Sequence, residues 1–159
     1  MTLPTGDPSQ ERLNELFEYR DGKLYNKTNR SPTARKGAMA GTTDIYGYTL
    51  VTADFKRHRV HRLIYIMHNG NIPEKMFIDH RNGIRDDNRI DNLRVVTKQE
   101  NSFNTHSKGY SWDKKCQKWQ ARIMVDGVNK HLGFFVNEED AIQAYQDGKE
   151  KYHIIEYRS

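Results

Sequence analysis

The segment from Met76 to Asn101 constrains the fold of this chain more than any other. Met76-Phe77-Ile78 is a short apolar strand that runs directly into Asp79-His80. Gly83 to Asn92 is a polar loop of unusual Asp, Asn and Arg density. Leu93-Arg94-Val95-Val96 reads as the next strand. Thr97-Lys98-Gln99-Glu100 has the form of a capping box, with Thr at the N-cap and Glu at N3, so a helix begins there. Asn101 falls in its first turns. Singly, Asp79, His80, Asn92 and Asn101 have plain structural readings: a strand-end pair, a turn residue, a solvated helix residue. Their order changes that, because two short strands and a helix can bring all four side chains to one point. Oxygen donors such as Asp and Asn suit a hard divalent ion such as Mg²⁺. A neutral His beside that ion, with an unperturbed pKa near ~6.5, suits proton abstraction from water.

The rest of the front half reads less sharply. Residues 1–10, with Pro4, Gly6 and Pro8, look frayed. Leu13, Leu16 and Phe17 lie at helical spacing. Asp21-Gly22 marks a hairpin turn. Thr28 to Gly41 is a basic loop in which Arg35 and Lys36 are candidates to track phosphates. Tyr46 to Thr52 reads as a strand. Val60 to His68 reads as a helix ended by Asn69-Gly70.

Charge points to a polyanion. The net charge is +5, but it is unevenly spread. Residues 1–19 hold Arg12 against Asp7, Glu11, Glu15 and Glu18, and residues 132–159 hold Lys149, Lys151 and Arg158 against six acids. The span 20–131 therefore carries 22 basic and 11 acidic residues, an excess of +11. Nucleic acid is the natural partner for such a surface, because neutralising phosphates releases counterions. The single cysteine, Cys116, excludes a disulfide framework and a Cys-based zinc finger. No run reaches the roughly 18 apolar residues of a membrane span. The start of the chain has no signal-peptide pattern, so an intracellular, reducing compartment (the cytoplasm of a host cell) is expected. With 159 residues and 35% hydrophobic content, two small cores are expected rather than one large one.

The run VHRLIYIMHNG…FIDHRNGIRDDNRIDNLRVVTKQEN, about residues 60–104, resembles the HNH endonucleases, in the phage-type variant whose final His is replaced by Asn. The resemblance implies a ββα-metal (His-Me finger) site. Asp79 and Asn101 would hold one divalent metal, Mg²⁺ with Mn²⁺ as the alternative, and no zinc. The metal would act as a Lewis acid on the scissile phosphate and leaving oxygen. His80 would be the general base, and Asn92 would orient its ring by a hydrogen bond. Asn in place of the last His implies weak metal binding completed by DNA. His61, in the HRL triplet, is expected to pack or to touch phosphate. His58, His68, His106 and His153 offer no constellation, and His153 is expected at an exposed helix end.

Beyond a polar linker at Ser102 to Lys108, the pattern becomes three strands with turns at 114–118 and 126–127, then a helix capped by Asn137. Gly109-Tyr110, Trp112, Trp119-Gln-Ala-Arg-Ile, Leu132-Gly-Phe-Phe and the Ala-x-x-Ala-Tyr helix resemble the AP2 DNA-binding domain. That implies a three-stranded antiparallel sheet lying in the major groove of double-stranded DNA. Alternation puts Trp119, Ala121, Ile123, Val125 and Leu132 towards the helix, and Gln120, Arg122, Met124, Asn129 and His131 away from it. Lys108, Trp112, Lys114, Lys115 and Lys118 cluster near the first turn and join the candidate DNA contacts. Lys108 and Ser111 stand where the family has Arg, which reduces guanine readout.

The expected architecture is therefore α+β: a flexible start (1–10), a nuclease domain (11–106), an AP2-like domain (107–152) and a tail (153–159). The expected function is metal-dependent hydrolysis of double-stranded DNA by a phage, homing-type endonuclease, monomeric or weakly dimeric, with no membrane and no small-molecule cofactor. The competing readings are a catalytically inactive, sequence-specific DNA-binding protein and a nuclease of RNA or of non-specific toxin type.

Overall fold

The computed structural model describes residues 6–103 and 108–155. The chain packs as two compact units that divide between Thr97 and Lys98, ahead of the expected boundary at 106/107. The helix carrying Asn101 therefore packs with the second unit.

In the first unit, Ser9 caps helix α1 (Gln10–Leu16), its side chain accepting from the Arg12 amide at 3.3 Å. β1 (Phe17–Arg20) and β2 (Lys23–Asn26) form the expected hairpin. Asp21 and Gly22 both have positive φ, 44° and 79°, as a two-residue turn of the I′ kind requires. Any side chain at Gly22 would also meet the Arg89 amide, 2.9 Å from its Cβ. β3 (Met39–Ala40) extends this sheet from within the region read as a loop. A second sheet joins β4 (Thr42–Thr43), β5 (Thr49–Ala53) and β6 (Lys56–Arg59). Helix α2 (Val60–Asn69) follows, and Gly70 closes it at φ 78°. β7 (Phe77–His80) pairs antiparallel with β8 (Leu93–Val96).

The core of this unit is one cluster. Leu13, Phe17 and Leu24 from the first elements meet Leu63, Ile64 and Ile66 of α2 and Ile78 and Val95 of the β7–β8 pair. Fully burying each such side chain contributes roughly 1.5–3 kcal/mol, so this cluster is what holds β7 and β8 in place. The expectation of a frayed start fails at Asp7 and Pro8, which are buried. Asp7 lies 3.1 Å from Nδ1 of His58 and accepts from Arg62 Nη2 at 2.6 Å. Such partners, 51 and 55 residues away, pin the segment down. Residues 1–5 lie outside the described residues.

The second unit contains α3 (Lys98–Phe103), β9 (Tyr110–Asp113), β10 (Lys118–Val125), β11 (Val128–Phe135) and α4 (Glu138–Tyr152). The sheet order is β11-β10-β9, all antiparallel. Asp126 and Gly127, again both at positive φ, make the tight β10–β11 turn. Helix α4 packs on β10 and β11 through buried Ala141 and Gly148. A Cβ at Gly148 would stand 2.9 Å from Leu132 Cδ1, so the small residue permits the close approach. Acids open α4 and lysines close it, which suits the helix dipole. His153 departs from expectation. It is half-buried, its ring stacks on Phe103 at 4.0 Å, and its Nε2 donates to the Met124 carbonyl at 3.0 Å.

Candidate active site

Asp79 and His80 end β7, where the strand leaves the core and enters the polar loop. Both are largely buried, 8% and 4% exposed. Across the pair, Asp79 faces Arg94 of β8. Arg94 donates to Asp79 Oδ2 from Nε at 3.0 Å and from Nη2 at 2.8 Å. Charge-assisted bonds of this kind offset the cost of burying a carboxylate.

His80 Nε2 lies 2.9 Å from Oδ1 of Asn88. An amide oxygen only accepts, so Nε2 carries the proton in this bond and the ring lone pair sits on Nδ1. The family resemblance implies that Asn92 orients this ring. In the structure Asn92 instead ties the loop to itself. Its Nδ2 donates to Asn82 Oδ1 at 2.9 Å and to the Asp87 carbonyl at 2.7 Å, and its Oδ1 accepts from the Asn82 amide at 3.1 Å. Asn92 thus shapes the loop, and the loop presents Asn88 to His80. Nothing distinguished Asn88 among the Asp and Asn residues around it.

Two more rings complete the neighbourhood. His61, in the first turn of α2, meets His80 edge-on with centroids 4.9 Å apart. Tyr48 lies 5.6 Å from His61 and 6.3 Å from His80. Burial, reinforced by the charges of His80, Arg59 and Arg62, lowers the His61 pKa from 6.5 to about 3. His61 is therefore neutral at ordinary pH and places no extra positive charge beside His80.

Asn101 is exposed on α3 and belongs to the second unit. Among the described residues, no three His, Cys, Asp or Glu side chains group as a metal cage. The donors at Asp79 are oxygens, which suits a hard divalent ion that keeps waters and takes substrate phosphate as further ligands.

In the second unit, cross-strand pairing sorts the candidate DNA contacts. Gln120 pairs with Ser111 and Phe134, Arg122 with His131, and Met124 with Asn129, so these side chains share the face away from α4. A register shift between Ala121 and Arg122 sets Leu132 aside from the ladder. Arg122, Asn129 and His131 are exposed. Gln120 is not: at 8% exposure it is buried among its neighbours. Trp112 is exposed, but on the other face. It pairs with Trp119, their rings 5.6 Å apart, and so lies on the helix-side face. Lys114, Lys115 and Lys118 are exposed at the β9–β10 turn, where Asp113 Oδ1 accepts from the amides of Lys115 and Cys116, both at 2.9 Å. Lys108 is exposed beside Tyr110. Arg35 and Lys36 are exposed in the first unit, with Arg35 Nε donating to the Pro32 carbonyl at 3.2 Å. No helix among the described residues is long and apolar enough to cross a membrane.

Residues 58–103 match the family model of the HNH endonucleases, a span that includes Asp79, His80, Asn88 and Asn92. Protein 3.8 of Escherichia phage T7 is 32% identical over 81 residues, covering 46% of this chain and 67% of that protein. An uncharacterized HNH endonuclease of Acanthamoeba polyphaga mimivirus is 31% identical over 102 residues, covering 60% of this chain and 53% of that protein. The chain thus spans little more than half the length of the mimivirus relative. Among solved structures, the HNH homing endonuclease I-HmuI, studied for DNA binding and cleavage, aligns with a TM-score of 0.45 and 21% identity over 82% of this chain and 75% of its own. With the Asp79-His80 pair at the centre of the matched span, residues 58–103 of this chain form an HNH endonuclease domain, which supports a nuclease.

Proposed function

We propose that this protein is a divalent-metal-dependent endonuclease of double-stranded DNA, of the homing type and of phage origin. The observation that carries the reading is His80, held at the end of β7 beside Asp79 with its Nε2 bonded to Asn88. With Nε2 protonated, Nδ1 is the basic atom. It would take a proton from water as that water attacks phosphorus in line with the departing 3′ oxygen. Asp79 would hold the divalent ion, Mg²⁺ or Mn²⁺, and the family resemblance names Asn101 as a further oxygen donor. When bound, that ion supplies Lewis-acid stabilisation of the phosphate and the leaving oxygen. Arg94 keeps the Asp79 carboxylate oriented before the ion arrives.

The second unit would position the nuclease on DNA, in the manner of an AP2 domain. Arg122, Asn129 and His131 on its outer face, with Lys114, Lys115 and Lys118 at the turn, are the proposed contacts. Side chains cannot easily read the narrow major groove of RNA, which favours duplex DNA as the substrate. One such site cuts one strand at a time, so a monomer would nick.

The test is a comparison of substrates. Duplex DNA, single-stranded DNA and RNA of one sequence are incubated with the protein in Mg²⁺ or in EDTA. Cleavage of duplex DNA in Mg²⁺ alone is expected. Preferential cleavage of RNA, or equal cleavage in EDTA, would contradict the proposal.

A further inference from the structure

We infer that Arg59, Tyr48 and Arg85 form a phosphate grip beside the His80 site, which binds the DNA backbone at a phosphate other than the one cleaved. The inference rests on the endonuclease reading above. It begins from three distant segments that converge on one ring. Arg59 ends β6 opposite Leu50 of β5, so Tyr48, two residues before Leu50, is its diagonal neighbour on the same face. The Arg59 Cζ lies 4.3 Å from the Tyr48 ring centroid. Arg85, from the loop that follows His80, places its Cζ 5.2 Å from the same centroid.

Local bonds fix this convergence. Asp44 Oδ1 accepts from the amides of Tyr46 and Tyr48, both at 2.9 Å, closing the turn that presents Tyr48. Gly47, at φ 84°, makes that turn possible. Arg85 Nη1 donates to the Tyr46 carbonyl at 2.9 Å and so anchors the His80 loop to the turn.

Gathering two guanidinium groups over one ring costs mutual repulsion. Each cation–π contact returns only about 0.5–1 kcal/mol at an exposed site. Among the described residues, neither Arg59 nor Arg85 forms an ion pair with a carboxylate. Both are exposed. Two exposed cations on one ring, neither in an ion pair, are matched to an anion, and the guanidinium fork suits phosphate oxygens. A stacked base is the poorer occupant, because the two guanidiniums already lie over the Tyr48 ring. The ring lies 6.3 Å from that of His80, so a phosphate held here belongs to the strand that runs through the active site. Such a contact fixes the register of the duplex without reading its sequence.

The test is equilibrium binding of the full chain to duplex oligonucleotides in EDTA, across a salt series. Wild type is compared with the double variant Arg59→Gln/Arg85→Gln and with Arg59→Gln alone. Loss of a phosphate contact lowers the slope of log affinity against log salt by about 0.9 per phosphate. The double variant should lose about 0.9 to 1.8 of slope and weaken by the same factor on unrelated sequences. Arg→Lys at both positions should restore most of the slope. Binding by wild type with an unchanged slope in the double variant would overturn the grip while leaving the nuclease reading standing. Absence of duplex binding by wild type would overturn both. Arg85→Gln also gives up the bond to the Tyr46 carbonyl, so thermal melts accompany the titrations, and if the double variant does not melt as wild type does, the slope of Arg59→Gln alone decides.

Discussion

Oδ1 of Asn88 accepts the Nε2 proton of His80 at 2.9 Å, a bond that favours the tautomer with its lone pair on Nδ1. Asn88→Ala should therefore cut cleavage by about 10- to 100-fold, the usual cost of losing a residue that orients a working His. The His80 ring nitrogens, followed by ¹⁵N NMR, should report an Nε2–H tautomer in wild type and a mixture in the variant. Asn88→Asp keeps the acceptor and should keep the tautomer. An unchanged ring spectrum in Asn88→Ala would remove Asn88 from this role.

Arg94 and a divalent ion would both neutralise the Asp79 carboxylate, Arg94 through Oδ2. Arg94→Ala removes the guanidinium that bonds buried Asp79 at 2.8 Å, which should cost about 3 kcal/mol. Thermal melts should show Mg²⁺ raising the midpoint of the variant by more than it raises that of wild type. Equal shifts would show that the ion does not bind at Asp79.

Acid should destabilise the first unit through His61. Its folded pKa of about 3 lies below the ordinary value of 6.5, so the unfolded chain takes up the proton first. The stability linked to neutral His61 is complete above about pH 6.5 and falls as pH drops towards 3, by at most about 1.4 kcal/mol per pH unit. Denaturant titrations should show a shallower decline between pH 6.5 and 5 in His61→Leu. A decline as steep as that of wild type would assign the acid sensitivity elsewhere.

Gly109 is held against the Tyr145 ring of α4, and a Cβ there would overlap that ring. Gly109→Ala should destabilise the second unit by about 1–3 kcal/mol through overpacking. The pair Gly109→Ala/Tyr145→Leu should recover much of the loss. No loss in the single variant would mean that β9 does not approach α4 as described.

The sequence exposes those parts of the fold that follow local rules. Ile78 and Val95-Val96 mark β7 and β8 because these side chains are buried in the core, although Phe77 beside them is exposed, and Asp79-His80 stands out at the junction. Asp21-Gly22 and Asp126-Gly127 mark hairpins because both positions need positive φ. What escaped depends on distant partners. β6, Lys-Arg-His-Arg, buries only His58 and so shows no apolar alternation. The Asp54-Phe55 turn before it has positive φ at both residues without a glycine, and Arg12 holds Asp54 from α1 at 2.9 Å. Asp7 is buried through His58 and Arg62, which no local pattern announces. Asn88 was invisible for a related reason: the loop holds several equivalent amides, and only its folded path selects one for His80. Gln120 stands on the outer face, as alternation expects, yet neighbouring side chains bury it there, and the pairing with Trp119 sets the face of Trp112.

The central claim is that His80 activates water for DNA cleavage, and it is tested by single-turnover cleavage of supercoiled plasmid in Mg²⁺ at saturating protein. His80→Ala should bind the plasmid as wild type does and cleave it about 10²- to 10⁴-fold more slowly, the range expected for loss of a general base. Cleavage by His80→Ala within a few-fold of wild type would contradict it.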